Sequence, residues 1–183
     1  MTRPDLKDAV LEAAEAIVVE AGAGHLTLDA VAERAGISKG GLMYNFRTKE
    51  ALLDAMISRL IEQFDELRQK VRRKLPAGSS ALLVEIKTLM ELSESNSRLS
   101  CAMVAVNAFQ PGLLKRFRDD MQNRLLSEIA APGDFERATA LYFAAFGLHV
   151  HELLNVPILT RKQMKSVFKE LMRMAGEGGK RPG

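Results

Sequence analysis

Apolar residues recur at three- and four-residue spacing along most of the chain. No alternating run bounded by turn residues interrupts them, so the pattern predicts an all-α protein. The first helix is expected from about residue 4 to residue 21, with Leu6, Val10, Ala13, Ala14, Ile17 and Val18 on one face and Gly22 and Gly24 ending it. A second starts at Thr27, which can cap it while Leu26 packs on Val31, and Gly36 breaks it. Ser38 caps a short third helix running to about Asn45. Thr48 opens a long fourth from Lys49 to about Leu75, with an apolar stripe of Leu52, Leu53, Met56, Leu60, Phe64, Leu67 and Val71.

Residues 76–80 (PAGSS) are a clear break. Beyond them the pattern predicts helices over 81–95 and 99–109, and an amphipathic one over 113–130 with Leu114, Phe117, Met121, Leu125 and Ile129 inward. Asp134 is expected to cap a helix running to about Val156. Thr160 is expected to cap a last one ending near Met174, with Met164, Val167, Phe168, Leu171 and Met172 inward. That makes about nine helices in three parts: a small head over 1–50, a larger helical domain over 51–175, and a disordered tail over 176–183. The helix over 134–156 carries apolar residues on more than one face. It should therefore be buried on more than one side, as a helix packed on its own domain and on a partner would be, or as a central core helix of a monomer would be.

Composition narrows the class. The single cysteine, Cys101, excludes a disulfide framework and a multi-cysteine zinc site, and it fits a reducing cytoplasm with the thiol as a small buried group. Residues 1–10 hold Asp5 and Asp8 and lack an apolar core, so no secretory signal is expected. No stretch approaches the ~20 apolar residues of a membrane span. Net charge is only +3, and residues 1–50 hold six Lys/Arg against eight Asp/Glu. Any nucleic-acid contact there must rest on where charges sit, not on bulk charge. The basic run Arg68–Lys74 is expected to be a solvated face.

The informative stretch is Leu26–Leu53. Two short helices meet at a glycine turn, with small residues where they cross, as in a helix-turn-helix. The second helix of such a pair enters the major groove with its N-terminal residues at base edges; here these are Ser38, Lys39, Gly40 and Gly41. Two adjacent glycines in a helix cost roughly 1 kcal/mol each against alanine, which a close approach to DNA would justify. Lys39 can reach a guanine edge or a phosphate, Tyr44 can donate to a phosphate, and the helix starts at Thr27 and Lys49 offer backbone N–H groups to phosphates.

At these residues the chain resembles the tetracycline-repressor (TetR) family of bacterial transcription regulators. The matching elements are T-L-x-x-V-A-x-x-A-G-I-S-K-G over Thr27–Gly40 and L-M-Y-N-F-R-T-K-E-A-L over Leu42–Leu52. Met43 stands where many members have tyrosine, and Tyr44 follows it. The resemblance implies that Thr27, Ser38, Lys39, Gly40, Gly41, Tyr44, Asn45 and Lys49 face DNA, and that Ala32, Ala35, Ile37, Leu42 and Phe46 form the head's core. It also implies a homodimer through helices at about 134–156 and 160–174, acting on a near-palindromic operator and released by a small, largely apolar effector of unknown identity.

Candidate effector contacts are Met90, Met103, Asn107, Phe109, Phe117, Met121, Tyr142, Phe146 and His149. The same residues at helical spacing also suit an ordinary core, and for each one alone the core is favoured. Asn107, Tyr142 and His149 stand out because polar groups on apolar helices need partners. His149 and Glu152 share a helix face but His151 does not, so no metal site is expected, and no cofactor. Catalytic residues are not expected either: the chain has no phosphate loop, no H-E-x-x-H and no credible triad. The expected protein is a ligand-responsive repressor. The alternatives are a DNA-binding regulator without a ligand or, less favoured, an all-helical enzyme.

Overall fold

The computed structural model describes residues 6–95, 100–102, 104, 112, 115–129, 134–156 and 158–177. Among them are eight α-helices: α1 (Leu6–Ala21), α2 (Leu28–Ala35), α3 (Lys39–Asn45), α4 (Lys49–Lys74), α5 (Ala81–Ser95), α6 (Lys115–Arg124), α7 (Phe135–Leu153) and α8 (Arg161–Glu177). A 3₁₀ turn (Ala23–His25) follows α1, and a π-helical turn (Leu125–Ile129) follows α6. The described residues contain no strand. The apolar helix expected over 99–109 lies mostly outside them, though residues 100–102 and 104 are helical.

The chain divides into two compact units, Met1–Glu62 with Arg98–Phe117, and Gln63–Ser97 with Arg118–Gly183. The division falls inside α4, not at residue 50. In the first unit α1 packs on α2 and α2 on α3. Val10, Leu11, Leu26, Val31, Leu42, Phe46, Leu52 and Leu53 make its core. Leu6, expected inward, is exposed in the first turn of α1. Charged side chains tie the helices together from outside. Both terminal guanidinium nitrogens of Arg34 pair with Glu20, at 2.7 and 2.9 Å. Arg59 of α4 reaches Glu12 and Glu15 of α1 at 3.4 and 3.7 Å.

In the second unit α5 packs on both α7 and α8, and those two pack on each other. Helix α5 is opened by the Ser80 hydroxyl, which accepts from the Leu83 amide at 3.2 Å. Thr160 and Gln163 cap α8 reciprocally: the Gln163 amide donates to Thr160 Oγ1 at 3.3 Å, and the Thr160 amide donates to Gln163 Oε1 at 2.9 Å. Met164, Phe168, Leu171 and Ala175 form the buried stripe of α8.

Several expectations change here. Arg68 is no solvated cation but 7% exposed, because it continues the Leu60–Phe64 stripe inward and meets a carboxylate there. Asp134 sits at the start of α7 without capping it; its carboxylate pairs with Arg137 at 3.2 Å instead. Val167 is exposed, rotated around α8 from its buried stripe, and Met172 is only half-buried. Residues 176 and 177, expected in a tail, are the last helical residues of α8. Phe117, Met121 and Leu125 are half-buried, and of the set expected inward on that segment only Ile129 is buried among the described residues. Helix α7 buries one face (Ala138, Leu141, Tyr142, Ala145 and His149), while Phe135 and Phe143 remain exposed.

Candidate functional site

The head is built by local backbone chemistry. The Thr27 hydroxyl accepts from the Ala30 amide at 3.1 Å and starts α2. Gly36 ends it with φ +68°, a left-handed conformation that favours glycine. The Gly36 amide donates to the Glu33 carbonyl at 3.1 Å and the Ile37 amide to the Ala32 carbonyl at 3.0 Å. This is the paired closure of a Schellman turn, and it fixes the direction in which the next helix leaves. Ser38 then caps α3 by accepting from the Gly41 amide at 3.1 Å, and Thr48 caps α4 by accepting from the Ala51 amide at 3.1 Å. Leu42 and Phe46 anchor α3 in the core, as does Ala32 for α2; Ala35 and Ile37 are half-buried.

That anchoring leaves the other side of α3 to solvent. Thr27, Ser38, Lys39, Gly40, Tyr44 and Asn45 are exposed, and Gly41 and Lys49 are half-exposed. Tyr44 is 89% exposed, an unusual position for an aromatic ring in a small helical unit. The two glycines differ. A methyl group on Gly41 would come 3.3 Å from the Ser38 cap oxygen, so this glycine has an internal reason. One on Gly40 would meet nothing within 4 Å. The protein's own packing therefore gives no reason for Gly40. Two side chains of the surface have partners that the sequence pattern did not reveal. Lys39 Nζ pairs with Asp29 Oδ1 of α2 at 2.8 Å, and the Asn45 amide donates to the Gly41 carbonyl at 3.3 Å.

The second unit holds a cleft of about 310 Å³ between α5, the end of α7 and the start of α8, with Met90, Ser93, His149, Met164, Lys165 and Phe168 in its wall. Its volume lies near the lower end for small-molecule pockets. His149 is 1% exposed and stands edge-on to Phe64, with ring centroids 6.5 Å apart. Burial pushes its pKa down to about 4, so the ring is neutral at ordinary pH. Its Nδ1 lies 3.1 Å from Ser93 Oγ.

Of the residues expected to meet an effector, Met90 and His149 line this cleft. Tyr142, Met121 and Phe146 gather with each other instead. The Tyr142 hydroxyl donates to the Met121 sulfur at 3.4 Å, and its ring stacks on Phe146 with centroids 5.9 Å apart. Burial first, then the Glu85 carboxylate, push the Tyr142 pKa up to about 12. Phe117 belongs to the other compact unit, while Met103, Asn107 and Phe109 lie outside the described residues. Spacing alone did not single out Ser93, Met164 or Phe168 as wall residues, because their meeting with His149 is set by tertiary packing.

Beside Tyr142 runs an ion network that is buried at Arg68 and Glu85 and reaches the surface at Asp65. Arg68 Nε donates to Glu85 Oε2 at 2.8 Å, Arg68 Nη1 to Asp65 Oδ1 at 2.6 Å, and Arg124 Nη2 to the same Asp65 oxygen at 2.7 Å. A readable signal existed: Arg68 and Glu85 each sit at a core-facing position of an otherwise apolar helix face. Cys101 is half-buried, and burial pushes its thiol pKa up, so the reactive thiolate is disfavoured. No helix among the described residues is long and apolar enough to cross a membrane.

Comparison with known proteins agrees with this geometry. A family model described as bacterial regulatory proteins, tetR family, matches residues 10–56. A model described as tetracyclin repressor-like, C-terminal domain, matches residues 80–176. The chain is 32% identical over 135 residues to the HTH-type transcriptional regulator BetI of Escherichia coli O45:K1 (strain S88 / ExPEC), covering 70% of this chain. It spans 66% of the length of that curated relative. Among solved structures, a TetR transcription regulator from Haloarcula marismortui ATCC 43049 superposes with a TM-score of 0.71 at 17% identity, covering 94% of this chain and 97% of that one. The multidrug binding protein EbrR complexed with imidazole gives a TM-score of 0.65 at 19% identity, over 92% and 96% of the two chains. With one family model lying over the head, from α1 into the start of α4, and the other spanning more than half of the sequence, the chain belongs to the tetR family of bacterial regulatory proteins.

Proposed function

We propose that this protein is a sequence-specific DNA-binding transcriptional repressor of the cytoplasm. It acts as a homodimer on a near-palindromic operator and is released by a small, largely apolar effector. The observation that carries the DNA-reading part is the outer side of α3. Gly40, which the protein's packing does not require, stands there beside exposed Lys39 and Tyr44. A bare backbone flanked by a cation and a phenol suits close approach to a base edge with phosphate contacts on either side. Thr27, Ser38, Gly41, Asn45 and Lys49 complete that surface.

The exposed apolar residues Phe135 and Phe143 of α7 and Val167 of α8 support pairing through these two helices. A two-fold dimer then presents two heads to two half-sites. The cleft at His149 is the effector site in this proposal. An effector favouring the conformation unable to bind both half-sites shifts the population toward it, by no more than its difference in affinity for the two conformations.

Selection of bound fragments from random-sequence DNA, followed by footprinting, tests the proposal. An enriched near-palindrome, protected in two half-sites, is the expected result. Enrichment of no sequence at any salt concentration would overturn it.

A further inference from the structure

The effector's chemistry can be narrowed from one proton. Ser93 Oγ lies 2.8 Å from the Leu89 carbonyl oxygen of its own helix and 3.1 Å from His149 Nδ1. Two oxygens so close, one of them a carbonyl, need a proton between them, and only the serine can supply it. Its single hydrogen therefore goes to Leu89, and what Ser93 turns toward the histidine is a lone pair. Nδ1 must then carry the ring proton and donate it. In a neutral ring this leaves Nε2 as a bare acceptor. Nε2 is buried and has no hydrogen-bond partner among the described residues. A buried acceptor without a donor is a standing cost that a matching ligand group removes.

The rest of the cleft limits what can carry that group. Glu94 and Glu152 are balanced by Arg161 and Lys165, and Lys165 already pairs with Glu94 at 3.0 Å. The charged rim therefore favours no net charge on the occupant, while Met90, Met164 and Phe168 offer apolar wall.

We infer that the cleft takes a neutral, mostly apolar molecule bearing a hydroxyl or N–H that donates to His149 Nε2, such as a phenol, an indole or an alcohol. This rests on the cleft being the effector site. Ethers and esters of the same shape are discriminated against because they present a second acceptor to the first.

The test uses the full-length chain and a panel of one- and two-ring phenols, indoles and alcohols, each paired with its O- or N-methylated analogue. Binding is measured by titration calorimetry and located by amide chemical shifts. Donor compounds should bind about tenfold or more tightly than their methylated partners. That preference should vanish in His149→Phe and weaken in Ser93→Ala, which lets the ring choose its tautomer. Equal binding of both partners in the cleft would overturn the donor rule and leave the cleft as the effector site. No perturbation of the cleft by any compound would overturn both. Independently of any ligand and of how the variants fold, nitrogen-15 spectra of the histidine rings in the unmodified chain should show His149 protonated at Nδ1. Protonation at Nε2 would overturn the inference.

Discussion

The two compact units handle opposite charges in opposite ways. In the head, Lys39 and Asp29 form an ion pair that is mostly in water, with side chains 63% and 70% exposed. In the larger unit, Arg68 and Glu85 form one whose side chains are 8% and 4% exposed. The first pair has weak net energy because water competes for both partners. The second has been taken out of water and is stable only while both members are present. The contrast separates what a charge can do in each place. A loosely held lysine can exchange its aspartate for a phosphate at little cost, whereas a buried arginine cannot leave its place without breaking the core.

The strongest way to break the comparison is to remove one buried partner. Arg68→Ala should destabilise the protein by about 3–5 kcal/mol, since Glu85 is left charged and unpaired. Urea unfolding at neutral pH measures it. Arg68→Met with Glu85→Leu should recover most of that loss, and a double variant as unstable as the single would show that the pair itself is not the cause.

Acid comes next in size. His149 is neutral in the folded chain down to about pH 4, against an ordinary 6.5 in the unfolded one. Between those values the unfolded chain binds the extra proton. The ring's contribution is therefore complete above pH 6.5 and is lost as pH falls toward 4, by roughly 3 kcal/mol in all. Denaturant midpoints taken from pH 7.5 to 4.5 should show this slope, and His149→Phe should reduce it by one proton. An unchanged slope in the variant would count against a neutral buried ring.

In the head the expected changes in stability are small and those in binding are not. Gly40→Ala should stabilise α3 by up to about 1 kcal/mol, because alanine loses less backbone freedom on folding and its methyl meets nothing. The same variant should bind operator DNA more weakly. Greater stability with unchanged affinity would show that the backbone at Gly40 does not approach the DNA. Smallest of all, Lys39→Ala should change stability by less than about 0.5 kcal/mol while lowering the salt dependence of binding by about one phosphate contact. Asp29→Asn, which releases Lys39, should move affinity the other way. The same fall in affinity from both substitutions would mean that the pair acts as a structural unit.

What was legible in the sequence was local. Ser38, Thr48 and Thr160 cap helices because a hydroxyl reaches an amide three residues on, and Gly36 turns because no other residue adopts its φ so cheaply. Where nearby groups compete, local rules fail, as at Asp134, whose carboxylate goes to Arg137. The burial of Arg68 depends on Glu85, seventeen positions away, and the proton bookkeeping of His149 depends on Ser93, fifty-six positions away. Periodicity places such residues on a face but does not say which faces meet. The exposed face of the head proposed to meet DNA comes from one continuous stretch and was legible as a face, whereas the cleft, assembled from three helices, was not.

Helix α7 leaves Phe143 55% exposed in the single chain. If a second copy covers that ring, folding and pairing become one equilibrium, and its position depends on how many molecules share the volume. A melting temperature taken at micromolar protein and an operator affinity taken at nanomolar protein would then describe differently populated species. Dilution alone would release the operator, with no effector present, once the concentration of chains falls below the dimer's dissociation constant.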